Sequence, residues 1–153
     1  MANKPRYWGT LSPLPAQVIT AQAQQFESMG LEGVFAPQVY GPPFIPLAVA
    51  AGATTRLKLA SGIALAFARS PFETAVAAMD MDTVSNGRFV LGLGSSVRSW
   101  SEGFFGMPYG KPVEHLREVI EIVRLVIQKS HTGELGRYDG KYHQLDFSEF
   151  QPL

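Results

Sequence analysis

The stretch from Leu57 to Ser96 constrains the fold most, because strand-like and helix-like patterns alternate within it. Residues 57–67 and 88–94 are rich in aliphatic side chains and do not alternate between apolar and polar positions. A helix-length amphipathic segment, residues 71–84, separates them. Strands that are covered on both faces lose the alternating pattern. The stretch therefore predicts a βαβ unit within a parallel sheet.

The ends of the helix in this unit are predicted from side-chain chemistry as well as periodicity. Ser70 and Glu73 are spaced as in a capping box, with Pro71 at the first helical position. Gly87 supplies the residue type that most often ends a helix. These signals predict that the helix begins at residue 71 and ends shortly before residue 87.

Helices and strands alternate along the rest of the chain as well, which is typical of an α/β fold. The other predicted elements are a strand over 6–11, a helix over 16–29, a strand over 33–37, a helix over 46–53 and a helix over 112–129. A complete TIM (β/α)8 barrel needs about 250 residues. We therefore predict a single partial domain over residues 1–153 that contains about four βα units, the amino-terminal half of a barrel.

The last segment, residues 133–153, differs in character from the βα units. Asp139-Gly140 lies between segments flanked by aromatic residues, and this pair is a strong signal for a β-hairpin. We interpret residues 133–153 as the start of a hairpin insertion.

Composition excludes several classes of function. The 153 residues are 46% hydrophobic, have a formal net charge of zero and contain no cysteine. This profile argues against nucleic-acid binding, disulfides and thiolate catalysis. No run reaches the roughly 18 apolar residues that a membrane span needs, and the amino terminus lacks an apolar signal region. We therefore expect a cytoplasmic protein that binds neither nucleic acid nor membrane.

Glycines and serines mark one end of the predicted sheet. Gly62 interrupts an apolar strand, which suggests a bulge or the close approach of a ligand. Gly92, Gly94, Ser95 and Ser96 leave the carboxyl end of the next strand without large side chains, and parallel sheets bind ligands at that end. A Rossmann dinucleotide site is disfavoured, because Val97 stands where its third glycine or alanine belongs.

Several motifs resemble the bacterial luciferase-like monooxygenase superfamily. They are FIPLA at residues 44–48, LASGIA at 59–64, ARSPF at 68–72 and SNGRFVLGLGS at 85–95. The combination of IALAFARSPFETA, GRFVLGLGSS and FGMPYGKPVEHLRE is similar to the branch of coenzyme F420-dependent oxidoreductases. The resemblance extends from about residue 11 to residue 152.

The resemblance implies a TIM barrel that binds a flavin or deazaflavin at the carboxyl ends of its strands. In the deazaflavin branch, a non-prolyl cis peptide in the third strand makes a bulge behind the ring. By position this bulge corresponds to Gly62-Ile63, and we include Ala64 with it. Gly94 and Ser95 correspond to the place where the ring approaches the backbone.

One position departs from the family pattern. After the second strand the family often carries an acidic residue or a histidine, where this chain has Gln38. A glutamine can form hydrogen bonds but cannot titrate. We therefore include Gln38 among the cofactor-binding residues and assign no catalytic proton donor. The family's phosphate-binding segment belongs to the other half of the barrel.

The resemblance predicts an oxidoreductase that transfers a hydride between coenzyme F420 and a small organic substrate. One alternative is an FMN-dependent monooxygenase that acts on paired donors with molecular oxygen. Another is a non-catalytic fragment, or a half-barrel subunit that a partner completes. We expect a homo-oligomer, with a dimer as the simplest form.

No metal site is predicted. His115, His131 and His143 are too widely spaced to form a metal-binding pair on one helix face. We expect these histidines to have packing or surface roles.

Overall fold

The computed structural model describes residues 6–153, which form two compact units. Of the described residues, the first unit contains 6–64 together with Asp80–Leu93, and the second contains Leu65–Met79 and Gly94–Leu153. In chain order the elements are β1 (Trp8–Thr10), α1 (Ala16–Ser28), β2 (Gly33–Ala36), α2 (Phe44–Ala53), β3 (Lys58–Ser61), β4 (Ala64–Leu65), α3 (Pro71–Ser85), β5 (Phe89–Val90), β6 (Leu93–Gly94), α4 (Arg98–Gly103), α5 (Pro112–Lys129), β7 (Arg137–Asp139) and β8 (Gln144–Asp146).

The first unit is built on a four-stranded parallel sheet in the order β1-β2-β3-β5. Val34 pairs with Leu59, which in turn pairs with Phe89. Consecutive parallel strands are joined by helices, so the predicted α/β fold with a parallel sheet is confirmed.

The core of the first unit consists of aliphatic side chains from the sheet and its helices. Its buried members are Leu11, Ile19, Ala23, Val34, Ala36, Leu47, Ala50, Ala51, Leu57, Leu59 and Met81. Burial of each large aliphatic side chain contributes about 1.5 to 3 kcal/mol. The small residues of α2 let that helix lie close to the strands.

The predicted strand over residues 57–67 is interrupted. β3 ends at Ser61 and β4 begins at Ala64, and the following strand is divided in the same way between β5 and β6. An uninterrupted apolar run predicts one strand, but Gly62 bulges out of the ladder. The sequence-based interpretation of Gly62 as a bulge is confirmed, and the single continuous strand was wrong.

Helix boundaries agree with the capping signals. The Glu73 amide N–H donates to the Ser70 hydroxyl (3.0 Å), and Gly87 has a φ of +75° just after α3. Helix α2 begins at Phe44 rather than at Pro46, since proline is tolerated in the first turn of a helix.

The amphipathic helix α5 organises the second unit. Its bounds match the prediction, and it buries Val119, Ile122 and Val126. The predicted hairpin forms from antiparallel β7 and β8. The Glu118 carboxylate anchors the hairpin turn by accepting hydrogen bonds from three consecutive amides, those of residues 141–143, at 2.8, 2.9 and 3.1 Å.

Among residues 6–153, no helix is both long and apolar enough to cross a membrane.

Candidate ligand site

The carboxyl ends of three neighbouring strands are joined by backbone hydrogen bonds in the first unit. Beyond β2, the Gln38 N–H donates to the Ile63 carbonyl (3.1 Å), and the Gly62 N–H donates to the Ala36 carbonyl (2.9 Å). On the other side, the Ala64 N–H donates to the Gly92 carbonyl (2.8 Å). The bulge at residues 62–64 is therefore held from both sides.

The peptide bond between Gly62 and Ile63 is cis, at the position that the resemblance implies. Ile63 is 38% exposed and Gly62 is partly exposed, whereas Ala64 is completely buried. Gly62 and Ile63 are thus the solvent-accessible residues of the bulge. A cofactor-binding role for these two residues and Ala64 stays a prediction.

Packing within the protein explains why residue 62 is glycine. A Cβ atom at this position would lie 2.7 Å from Cδ2 of Phe35, well inside contact distance. The ring of Phe35, one strand away, is therefore the group that approaches Gly62 within the protein, and the close approach of a ligand stays a prediction.

Gln38 lies at the edge of the bulge and is 7% exposed. Its backbone N–H donates to the Ile63 carbonyl, and its side chain is a carboxamide, which does not titrate at ordinary pH. The structure thus brings together four of the predicted residues, namely Gln38, Gly62, Ile63 and Ala64.

Gly94 and Ser95, the other two predicted residues, belong to the second unit. There the Ala66 N–H donates to the Gly94 carbonyl (2.9 Å), and the Ser95 hydroxyl donates to the Ser96 carbonyl (3.3 Å). The Tyr109 hydroxyl also donates to the Ser96 carbonyl (2.9 Å). Their role in cofactor binding stays a prediction.

An apolar cleft of about 310 Å³ lies beside the loop that follows β2. It is lined by Pro13, Pro37, Val39, Tyr40, Gly41, Pro42, Pro43, Ile45 and Pro46. No acidic or basic side chain is part of this lining, so the cleft suits an uncharged group. Pro42, Pro43 and Pro46, close together in the sequence, were the available signal for a rigid wall.

The second unit contains a pair of histidines that the sequence did not reveal. His115 is 3% exposed, and its Nε2 lies 3.0 Å from Nε2 of His143. The His115 ring stacks on Phe67, with centroids 3.9 Å apart, and lies against Tyr142. The two histidines are 28 positions apart in the chain, so only the folded hairpin brings them together.

Hydrogen bonding defines the tautomers of the pair. Nδ1 of His115 lies 3.1 Å from the Tyr109 carbonyl and must carry the hydrogen, because a carbonyl only accepts. Nε2 of His115 is then the acceptor, and Nε2 of His143 is the donor. Burial lowers the pKa of His143 and His115 lowers it further, against an opposing effect of Glu118. No cluster of three or more metal-ligating side chains occurs within residues 6–153.

The lowered pKa of His143 predicts a pH dependence of stability. The unfolded chain binds a proton near pH 6.5 and the folded chain only at lower pH, so the free energy of unfolding should fall as pH drops below about 6.5. In His143→Gln, which retains a donor toward His115, this decline should be shallower. Denaturant unfolding at several pH values measures how the free energy of unfolding changes with pH. The exposed His131→Gln is the control and should keep the wild-type slope; equal slopes in all three proteins would contradict the prediction.

The fold and the strand ends define a class of protein. Parallel strands joined by helices, with a bulge and an apolar cleft at their carboxyl ends, are typical of α/β enzymes that bind their ligands at that end of the sheet. The sequence model that describes the luciferase-like monooxygenase family matches residues 3–152 of this chain, and the chain belongs to that family.

Known proteins similar to this chain include two whose names give coenzyme F420 as their cofactor. A putative coenzyme F420-dependent oxidoreductase of Mycobacterium tuberculosis is 36% identical over 121 residues, which are 78% of this chain and 34% of that protein. The coenzyme F420 dependent tetrahydromethanopterin reductase from Methanopyrus kandleri is similar in structure, with a TM-score of 0.74, 23% identity, and coverage of 96% of this chain and 46% of that one.

A structure that contains FMN is also similar. The oxygenating constituent of 3,6-diketocamphane monooxygenase from Pseudomonas putida, in complex with FMN, has a TM-score of 0.71 and 17% identity, over 92% of this chain and 43% of that one. Identities this low establish the fold alone. The chain spans 39% of the first curated relatives' length and about half of these solved structures, consistent with half of a TIM barrel.

Proposed function

We propose that the protein is a deazaflavin-dependent oxidoreductase that transfers a hydride between coenzyme F420 and a small organic substrate. The observation that carries this proposal is the bulge at Gly62 and Ile63, which presents backbone and one apolar side chain, with an apolar cleft along the neighbouring loop. The relative named as F420-dependent supports the choice of cofactor.

The residues at the bulge fit a flat ring with apolar faces. Gly62 and Ile63 would lie behind the ring, and Gln38 would hold the Ile63 carbonyl in place. When bound, the deazaflavin would supply the hydride chemistry. The protein's own contribution is to orient the ring and to exclude water from it.

The cleft would receive the apolar part of the substrate. Its volume of about 310 Å³ is at the lower end of the range for small-molecule sites. The lining contains no carboxylate, imidazole, ammonium or guanidinium group, which favours an uncharged substrate group, because a buried charge without a partner is costly.

Binding measurements test the cofactor assignment. Titration of the purified protein with F420 and, separately, with FMN should give at least about tenfold tighter binding of F420, a difference of about 1.4 kcal/mol. Ile63→Asp should weaken F420 binding by about tenfold or more, because it places a negative charge against the ring face. Ile127→Asp adds the same charge at another partly exposed isoleucine, on α5, and should bind as the wild type does.

Each outcome has a defined meaning. Tighter binding of FMN than of F420 would favour an FMN-dependent monooxygenase of the same family. Binding of neither cofactor would overturn the proposed function and favour a non-catalytic role. Equal affinities of the two isoleucine variants would show that the ring does not contact Ile63.

A homo-oligomer is part of the same proposal. β1 and β5 are the outer strands of the four-stranded sheet, and outer strands offer backbone groups for pairing with another chain. Sedimentation of the purified protein should give a dimer or larger species, and a monomer at micromolar concentration would contradict this part.

A further inference from the structure

The ladder between β3 and β5 stops at a defined point. Ala60 pairs with Val90, and the next backbone hydrogen bond between the two chain segments is donated by Ala64 to Gly92 (2.8 Å). Three residues on one side, 61–63, therefore lie opposite two residues on the other, 91 and 92. The regular ladder is interrupted at such a bulge, so a side chain can add a link that the backbone does not make there.

The side chain of Ser61 supplies that link. Its hydroxyl donates to the Gly92 carbonyl (2.9 Å) and accepts from the Gly92 N–H (2.8 Å). Ser61 is 3% exposed, so water has little access to the pair. One hydroxyl thus satisfies both backbone groups of a residue on the neighbouring segment.

The link requires a very close approach of the two segments. A Cβ atom at position 92 would overlap the Ser61 carbonyl oxygen, so only glycine lets the backbone come near enough. Gly92 also accepts from Ala64, and its carbonyl is therefore shared between the two ends of the bulge. The hydroxyl and the Ala64 amide together fix both ends of the bulge to one residue.

We propose that Ser61 is a positioning residue for the cofactor, because its hydroxyl holds the bulge at Gly62 and Ile63 in the conformation that faces the ring. This inference rests on the proposed function for the ring, whereas the Ser61–Gly92 link itself does not. Ser61 acts through the backbone and makes no contact with the ring.

Ser61→Ala removes the link and leaves the N–H of the partly buried Gly92 without its partner. Amide hydrogen exchange at Gly92 and Ala64 should become at least about tenfold faster, and F420 affinity should fall by about tenfold. Ser61→Thr keeps the hydroxyl and should restore both. Ser61→Cys keeps the side-chain size but is a weak donor, so both readouts should lie between those of alanine and serine.

Ser85→Ala is the matched control. Ser85 is fully buried, and its hydroxyl likewise makes two backbone hydrogen bonds, to the Asp82 carbonyl and from the Arg88 N–H, both at 3.2 Å. It precedes β5, at the amino end of that strand. This variant should lose a similar amount of stability while F420 affinity and Gly92 exchange stay unchanged.

Three results would overturn the inference: unchanged Gly92 exchange in Ser61→Ala, unchanged affinity despite faster exchange, or equal loss of affinity in Ser85→Ala. If the wild type binds neither F420 nor FMN, the proposed function fails and the positioning role fails with it. The exchange rates would still test the Ser61–Gly92 link. If Ser61→Ala does not fold, the F420 affinities of the other variants test the inference. Ser61→Thr should bind as the wild type does, and Ser61→Cys should bind more weakly.

Discussion

Gly92→Ala is expected to lower the free energy of unfolding by about 3 kcal/mol. The new Cβ would overlap the Ser61 carbonyl oxygen, and this atom belongs to the backbone at the end of β3. A side chain could rotate away, but a backbone carbonyl in a parallel sheet can move only if the strand moves with it. The Ser61 hydroxyl would then lose both of its hydrogen bonds to residue 92.

Gly52→Ala provides the matched control for this prediction. Gly52 lies within α2, and a Cβ added there would meet nothing within 4 Å beyond the backbone of its own helix. Alanine in a helix is favoured over glycine by about 0.5 to 1 kcal/mol, so this variant should be slightly more stable than the wild type. Denaturant unfolding measures both changes. A Gly92→Ala protein as stable as the wild type would mean that the segments can separate freely.

Arg88→Lys is expected to lower the free energy of unfolding by about 2 to 4 kcal/mol. Nε of Arg88 donates to the Ser85 carbonyl (2.6 Å), Nη1 to the Leu57 carbonyl (2.9 Å), and Nη2 to the Ala51 carbonyl (2.9 Å). Nη1 and Nη2 also donate to the hydroxyl and the carbonyl of Thr54, both at 3.1 Å. The guanidinium thus joins the carboxyl ends of two helices to the start of β3.

A lysine keeps the charge but cannot span these acceptors. Its ammonium is a compact group on a flexible stem, whereas the guanidinium presents its donors in a fixed planar fork. Several partly buried carbonyls would therefore lose their partners. Arg56→Lys is the control, because Arg56 is exposed and its side chain makes one long hydrogen bond, to the Glu27 carbonyl (3.3 Å). Its expected effect is below about 0.5 kcal/mol. Similar losses in both variants would contradict the prediction.

Local chemistry made much of the fold predictable. Ser70 caps the start of α3 and Gly87 ends it, each through neighbours only a few positions away in the chain, so the bounds of α3 could be predicted from the sequence. The buried apolar residues of α5 recur with the helical period. Asp139-Gly140 favours a turn through its own backbone preferences, independently of distant residues. The parallel sheet followed from the order of these elements.

Features that depend on contacts between distant segments could not be predicted from periodicity. Gly62 indicated a bulge, but its location against Phe35 and the link from Ser61 to Gly92 require the folded sheet. The cis peptide was located by the family resemblance and not by any pattern of residue types. The pairing of His115 with His143 likewise exists only once the hairpin has folded onto α5.

The proline-rich cleft has a consequence for how binding preferences can change. Five of its nine lining residues are prolines, whose φ angles are fixed by the ring, so the shape of the wall is set before any ligand arrives. Binding of a ligand then requires little ordering of the protein, and the affinity depends mainly on how well the shape of the ligand matches the cleft. Val39, Tyr40 and Ile45 are the large side chains of the lining that are not prolines. Divergence among related proteins in what they accept should therefore concentrate at these three positions.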